Sequence, residues 1–234
     1  MPTPPKKTAA SAPQKITAWS FSRLNDYRRC AKYAFYKHVL RMKEPGNDAM
    51  ARGAAIGEMA EKFAKAKPRT KCPEELQCFE QEFRELQKHV VSCELEWAFT
   101  KEWKPTGWFD GDAWCRVKID CFYHVPKTAR LRVIDFKTGK EREDHMDQLD
   151  LYALGGLLME PDVEEVQVEL WYLDLGVLRP DEPKIYAQAD VPALKKKWEK
   201  ETKPMLSDGR FQEKPGNGCR YCHFSKGKGG PCKF

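Results

Sequence analysis

WCRVKIDCFY (residues 114–123) and LRVIDFK (residues 131–137) are two runs in which apolar side chains largely alternate with polar ones. Alternation with a period of two is typical of β-strands, and the short polar interval between the runs predicts a hairpin. Asp120 follows the alternating part of the first run, and Asp135 lies near the end of the second. Lys137 comes two residues later and should therefore project to the same strand face as Asp135. The hairpin is expected to bring together two carboxylates and one ammonium group.

This combination of charges suits phosphodiester hydrolysis. The reaction needs a water deprotonated near neutral pH and charge relief on the phosphate, which a divalent cation held by carboxylates supplies. Asp120 and Asp135 are the predicted metal ligands, with the Phe136 carbonyl as a further oxygen; such ligands favour Mg²⁺ or Mn²⁺. Lys137 is expected to orient the attacking water or to stabilise the transition state. The alternative is a salt bridge across an ordinary hairpin.

Gln148 and Tyr152 follow the lysine after a short loop. They are four residues apart on a predicted helix and therefore share one helix face. We expect them to position a nucleic-acid strand beside the carboxylates. Taken alone, the pair is better explained by a core tyrosine with a capping glutamine.

The rest of the chain predicts an α/β sandwich around a mixed sheet. A first helix is expected to begin with Ser20 or Ser22 as its cap and to run through Val39. Further helices are predicted at 48–65, within 73–91, at 144–159 and at 191–206. Strands are predicted at 93–99, 113–124, 130–137, 165–174 and 184–188.

Length and composition predict one domain over residues 16–234, divided into a helical part (16–92), a sheet core (93–190) and a C-terminal helix with a cysteine-rich tail (191–234). The formal net charge of +6 suits a polyanionic partner but does not require one. No apolar stretch is long enough to span a bilayer. Residues 1–15 lack the apolar core of a signal peptide and should form a disordered leader, so we expect a cytoplasmic location.

Cysteine usage indicates a second metal site. The chain has nine cysteines, and in the absence of an export signal metal ligation is a better explanation than a disulfide framework. Cys219, Cys222 and Cys232 form a glycine-rich tail set that needs a fourth ligand. Ligand count alone leaves both Zn²⁺ and an iron–sulfur cluster open.

An Asp, then Asp-x-Lys about fifteen residues later, then Gln-x-x-x-Tyr resembles the PD-(D/E)XK nuclease superfamily. The resemblance is strongest to its RecB-type branch, which contains phage exonucleases and CRISPR-associated adaptation nucleases. It implies a restriction-endonuclease-like fold, with a mixed central sheet flanked by helices. The implied activity is that of a DNA exonuclease acting on DNA ends in phage recombination or replication. A recombination or replication protein would be its partner, and the host cytoplasm its location.

Residues 52–61 (RGAAIGEMAE) resemble the first helical motif of the same branch, with one departure. The family usually places a histidine metal ligand where Gly57 stands, followed four residues later by the glutamate that matches Glu61. The resemblance therefore implies that Glu61, one turn away on the same helix face, approaches the metal directly or through water. Glu58 more simply belongs to a solvated helix face. The missing histidine motivates an alternative function: a weakened or inactive member that binds DNA or a partner protein.

The resemblance also implies the fourth ligand of the tail set. The branch joins one N-terminal cysteine, here Cys30, to three C-terminal ones around a 4Fe–4S cluster, which would tie the helical part to the tail. Zn²⁺ is the alternative, and a zinc-stapled structural or RNA-binding module is a third interpretation of the chain. A groove for single-stranded DNA would be lined by basic residues of the tail, which otherwise form a solvated surface: Lys214, Arg220, Lys226 and Lys228.

Overall fold

The structure, a computed structural model, describes residues 15–160 and 162–234. The expected leader at residues 1–15 lies outside this range, apart from Lys15, which is exposed. The chain forms two compact units. One, the terminal unit, consists of the described residues up to Pro45 together with Thr202–Phe234; the other, the central unit, is Gly46–Glu201.

The terminal unit begins with helix α1 (Phe21–Arg29), which is capped by Ser20: the Ser20 hydroxyl accepts the Arg23 N–H at 3.4 Å. The prediction of one helix through Val39 is wrong, because Cys30 is extended (φ −165°, ψ 119°) and separates α1 from α2 (Ala31–Ala34). A π-helical turn (Phe35–Val39) follows. The Cys30 N–H still bonds to Asp26 and its carbonyl to Ala34, so the chain turns here without losing a backbone hydrogen bond. Helical periodicity does not reveal a break of this kind.

The central unit contains a six-stranded sheet in the order β2-β1-β3-β4-β5-β6. Only β4 and β5 are parallel, which confirms the mixed sheet. The strands are β1 (Ser92–Phe99), β2 (Pro105–Thr106), β3 (Cys115–His124), β4 (Arg130–Lys137), β5 (Glu165–Tyr172) and β6 (Val177–Ala187). The strand expected at 184–188 therefore begins earlier. Pro180 and Pro183 interrupt the strand pattern in the first part of β6, so the sequence did not predict it. An edge strand tolerates proline because one side of its backbone has no ladder partner.

Helices cover both faces of this sheet. Helix α3 (Asp48–Ala64) agrees with the helix predicted at 48–65. In the next segment a 3-10 turn (Glu74–Phe79) precedes helix α4 (Glu80–Leu86), within the predicted range 73–91, and Phe83 of α4 packs on Phe136 and Trp171. Helix α5 (Glu143–Met159) connects the parallel strands β4 and β5. It packs on Leu131, which lies on the opposite face of β4 from Phe136. Helix α6 (Val191–Ser207) contributes residues to both units.

Glycines allow α5 to approach the sheet closely. A Cβ at Gly155 would lie 2.9 Å from the buried Trp97 ring, and one at Gly156 would lie 3.0 Å from Leu131 and Val166. A Cβ at Gly57 in α3, by contrast, would meet nothing within 4 Å.

Alanine substitutions at Gly57 and at Gly155 should change the stability of the protein in opposite directions. Gly57→Ala is expected to raise the free energy of unfolding by about 0.5–1 kcal/mol, because alanine favours the helix. Gly155→Ala should lower it by about 1–3 kcal/mol, because the added methyl overpacks against Trp97. Urea unfolding of both variants measures the difference, and equal shifts of one sign would contradict the close approach of α5.

Candidate active site

The side chains of β4 and α5 form a closed cycle of polar contacts. Lys137 Nζ donates to Gln148 Oε1 at 2.9 Å, Gln148 Nε2 donates to the Tyr152 hydroxyl at 2.5 Å, and that hydroxyl donates to Asp135 Oδ1 at 2.5 Å. The ion pair between Asp135 Oδ2 and Lys137 Nζ, also 2.5 Å, closes the cycle. We call these four residues the polar ring. The structure thus brings together four of the residues singled out in the sequence.

Tyr152 is a buried member of the polar ring. Only 3% of its surface is exposed, and its hydroxyl is already bonded to Asp135. A role for Tyr152 at a nucleic-acid strand stays a prediction, and in the protein alone its hydroxyl donates to Asp135. Gln148 is half-buried, and its role at a strand stays a prediction.

Asp120 joins this group from the neighbouring strand. The β3–β4 ladder ends at Cys121 and Ile134, and beyond it Asp120 Oδ2 accepts the Phe136 N–H at 2.9 Å. Because the N–H and C=O of a strand residue point to the same side, the Phe136 carbonyl also faces the β3 side. Three oxygen-bearing groups that the sequence predicted as metal ligands are therefore neighbours at the end of this hairpin.

The electrostatics of the group are those of a crowded acidic site. Burial, followed by the charge of Asp135, raises the pKa of Asp120 to about 7, against the opposing effect of Lys137. Burial lowers the pKa of Lys137, but Asp135 outweighs it and the net pKa is raised, so this side chain stays protonated. Burial raises the pKa of Tyr152 well above its usual range, which keeps the hydroxyl able to donate.

These residues fit a divalent cation. One ammonium group faces two largely buried carboxylates, and among the described residues Asp135 Oδ2 has only the ion pair with Lys137 and no hydrogen bond of good geometry. Mg²⁺ is commonly held by one or two carboxylates and otherwise by water and phosphate. Within the described ranges no three His, Cys, Asp or Glu side chains form a ready metal-binding group, so the protein part of such a site is the carboxylate pair.

The upstream helical motif contributes less than the sequence suggested. Glu61 Oε1 accepts from Lys65 Nζ at 2.7 Å, and Glu58 Oε1 accepts from Lys62 Nζ at 2.5 Å. The solvated interpretation of Glu58 is confirmed, since its side chain is 64% exposed. Glu61 still lies in the neighbourhood of the carboxylates, because Glu61 and Asp120 both act electrostatically on the Cys93 thiol. A metal-ligating role for Glu61 stays a prediction.

Two further residues near the site were missed in the sequence. Glu94, on β1 beside Asp120, adds to the rise in the pKa of Asp120 and pairs with Lys118. Its backbone has a positive φ of 58°, a local irregularity of β1 that no sequence pattern marks. His145 lies three residues before Gln148, and its pKa responds to Lys137 and Asp135. Helical spacing could have found it, as a continuation of the stripe formed by Gln148 and Tyr152.

The four predicted cluster ligands line the same cavity, but among the described residues no three of them are arranged as a ready metal-binding group. Cys30, Cys219, Cys222 and Cys232 line one cavity of about 190 Å³ in the terminal unit. Tyr33, Tyr36 and Phe224 form the core beside it. All four thiols are free and half-buried.

Glycine allows the tail to fold back on itself. A Cβ at Gly230 would lie 2.3 Å from the Phe224 backbone carbon, and the Cys232 N–H bonds to the Phe224 carbonyl at 2.9 Å. The close approach at Gly230 thus returns Cys232 to the neighbourhood of Cys222.

The family model of the PD-(D/E)XK nuclease superfamily matches residues 18–226, and the chain belongs to that superfamily. The solved structure of SSO0001 shares 15% identity over 92% of this chain and 87% of its own, with a TM-score of 0.40. A candidate exonuclease from Eubacterium rectale shares 13% identity over 88% of each chain, with a TM-score of 0.48. No curated protein matches the sequence.

The raised pKa of Asp120 predicts a pH-dependent stability in metal-free protein. Between the ordinary carboxyl pKa near 4 and the folded-state value of about 7, the folded state binds a proton that the unfolded state has lost, so stability should fall as pH rises. Asp120→Asn removes this titration. In EDTA its melting temperature should exceed that of the wild type at about pH 8, and the difference should shrink towards about pH 4.

The exposed Asp162→Asn variant is the matched control, with no such pH-dependent gain. If the melting temperatures of the wild type and of Asp120→Asn change in parallel between about pH 4 and pH 8, the pKa of Asp120 is not raised in the folded state.

Proposed function

We propose that this protein is a metal-dependent DNA nuclease whose active site is the polar ring together with Asp120. The observation that carries the proposal is the polar ring itself, which fixes one carboxylate and one ammonium group beside a second carboxylate with a pKa of about 7. A salt bridge across an ordinary hairpin would not need the two additional α5 side chains that close the ring.

Asp120 and Asp135, with the Phe136 carbonyl, would hold Mg²⁺ or Mn²⁺. Such an ion lowers the pKa of bound water and neutralises charge on the phosphate. Lys137 Nζ, fixed by Gln148 and Asp135, would stabilise the negative charge that develops on the scissile phosphate. Tyr152 would hold Asp135 in one orientation through its short hydrogen bond. Each side chain then has a separate task in the same hydrolysis.

The distribution of charge supports a nucleic-acid substrate. Among its described residues the terminal unit has fifteen Lys and Arg against four Asp and Glu, whereas the central unit has twenty-four against thirty-one. The four basic tail residues predicted to line a DNA groove are all exposed in the terminal unit, and the Tyr221 ring beside Arg220 is 68% exposed. Basic residues around an exposed aromatic ring suit a phosphate backbone with stacked bases. We therefore infer that the terminal unit supplies much of the affinity for DNA.

Action on DNA ends, and a role in phage recombination or replication beside a partner protein, rest on the resemblance of the motifs and extend this proposal. The specific alternative is a weakened or inactive member that binds DNA without cutting it. Gly57 motivates that alternative, because its hydrogen leaves open space where the branch usually has a histidine.

Cleavage of end-labelled single- and double-stranded linear DNA with Mg²⁺ or Mn²⁺ tests the assignment, with circular DNA to separate exonuclease from endonuclease action. Lys137→Ala should reduce the rate by about a hundredfold or more, because it removes a charge aimed at the phosphate. Lys140→Ala, an exposed lysine in the next loop, is the matched control and should cleave normally.

Gly57→His separates the two candidate functions, since the structure has room for a side chain there. A silent wild type with an active Gly57→His variant would indicate a nuclease disabled at one ligand. If both proteins bind DNA and neither cuts it, the non-catalytic function replaces the nuclease.

We further propose that Cys30, Cys219, Cys222 and Cys232 bind a 4Fe–4S cluster. The support is a set of four free thiols around one cavity, with an aromatic core beside it. Four thiolates satisfy a cluster of this type, and they equally satisfy tetrahedral Zn²⁺. A bound cluster would stabilise the terminal unit, because it connects segments distant in sequence.

Iron, sulfide and zinc contents of anaerobically purified protein, with its visible absorbance, test this assignment. Cys219→Ser should lose the metal and lower the melting temperature, whereas Cys78→Ser, an exposed cysteine of the central unit, should change neither. If the protein is colourless and contains stoichiometric zinc, the four cysteines bind zinc and not an iron–sulfur cluster. If the purified wild-type protein contains no metal, the proposal of a metal site at these cysteines is wrong.

A further inference from the structure

A stripe of polar side chains on α5 extends beyond the polar ring. His145, Gln148 and Tyr152 are separated by three and four residues and so lie along one helix face. Tyr152 is buried, while Gln148 and His145 are half-buried nearer the start of the helix. His145 is therefore the next member of the stripe after the residues that hold Asp135 and Lys137.

Tyr172 holds the His145 ring in place. His145 Nδ1 and the Tyr172 hydroxyl are 2.9 Å apart, and the two rings stack with centroids 5.8 Å apart and planes 28° apart. Tyr172 is the residue of β5 that pairs with Lys137 of β4. The imidazole is thus anchored to the strand adjacent to the catalytic lysine.

The protonation state of this pair follows from its surroundings. Burial lowers the pKa of His145, and the nearby Lys137 and Arg142 lower it further against the opposing charges of Asp144 and Asp135. Burial raises the pKa of Tyr172. Near neutral pH the pair is therefore an uncharged imidazole beside an uncharged phenol.

The hydrogen bond with Tyr172 is compatible with two neutral tautomers of His145. In the tautomer in which the Tyr172 hydroxyl donates to Nδ1, the imidazole proton lies on Nε2. Nε2 has no hydrogen-bond partner anywhere in residues 15–160 and 162–234. In this tautomer the site contains a half-buried N–H donor near Lys137 that the described part of the fold does not use.

We propose that His145 binds the substrate: its Nε2–H donates a hydrogen bond to a phosphate oxygen of the strand in the active site, with Tyr172 as its positioning residue. This inference rests on the proposed nuclease function and adds one residue to that site. A neutral donor suits the position, because a hydrogen bond to an ionised phosphate is strong even when only one partner is charged.

Kinetics of the full-length protein test the proposal. His145→Ala should lower kcat/KM on linear single-stranded DNA by about ten- to a hundredfold, the usual effect of losing a hydrogen bond to a charged group. His145→Gln, which retains an amide donor, should recover part of that loss. His124→Ala is the matched control, since His124 is an exposed histidine of β3 and should leave kcat/KM unchanged.

Tyr172→Phe separates positioning from simple structural support. It should lower kcat/KM by a smaller factor than His145→Ala, and the double variant should be no worse than His145→Ala alone, because both act through the same donor. Melting temperatures check that each variant is folded. Wild-type kcat/KM in His145→Ala, or fully multiplicative effects in the double variant, would overturn the proposal.

Affinity for a labelled single-stranded oligonucleotide, measured by fluorescence anisotropy in EDTA, gives a readout that does not need cleavage. His145→Ala should weaken binding relative to His124→Ala. A wild type that binds without cutting overturns the nuclease function, and the His145 contact is then judged on this affinity alone. An active wild type whose His145→Ala variant binds and cuts normally overturns the contact and leaves the nuclease function intact.

Discussion

Two carboxylates, Asp120 and Asp135, are held close together at the end of a hairpin, largely away from water, and the charge of Asp135 opposes the ionisation of Asp120. The neighbouring groups reduce this repulsion or stabilise the two carboxylates. Lys137 supplies one positive charge, the Phe136 N–H and the Tyr152 hydroxyl supply hydrogen bonds, and a divalent cation would supply the remaining charge. In the proposed function, this burial and repulsion would lower the stability of the metal-free protein and raise its affinity for a cation.

The parallel pairing of β4 and β5 makes this arrangement possible. A parallel connection needs a crossover element, and here that element is α5. Its glycines bring it close to the sheet, and its polar stripe then lies over Asp135 and Lys137. The same crossover places Tyr172 of β5 beside Lys137, where it anchors His145. Structural and functional contacts of α5 are thus made by different parts of one helix.

The two units differ in charge. The acidic central unit holds the carboxylates, and the basic terminal unit holds the exposed cations and the four cysteines. An acidic site by itself repels a polyanion, so affinity for DNA has to come from a surface with the opposite charge.

In the described part of the chain no helix is long and apolar enough to cross a membrane.

The sequence alone determined the hairpin, most helix limits, and the juxtaposition of Asp120, Asp135 and Lys137, because these follow from local periodicity and from side-chain alternation along a strand. It did not reveal the break at Cys30 or the full length of β6, since a one-residue turn and an edge strand with prolines leave the periodic signal unclear. The hydrogen bond from Tyr152 to Asp135, the irregularity at Glu94 and the contact between His145 and Tyr172 were decided only by tertiary structure. Each depends on which side chains from distant segments meet after folding, and spacing along the chain does not encode those distances.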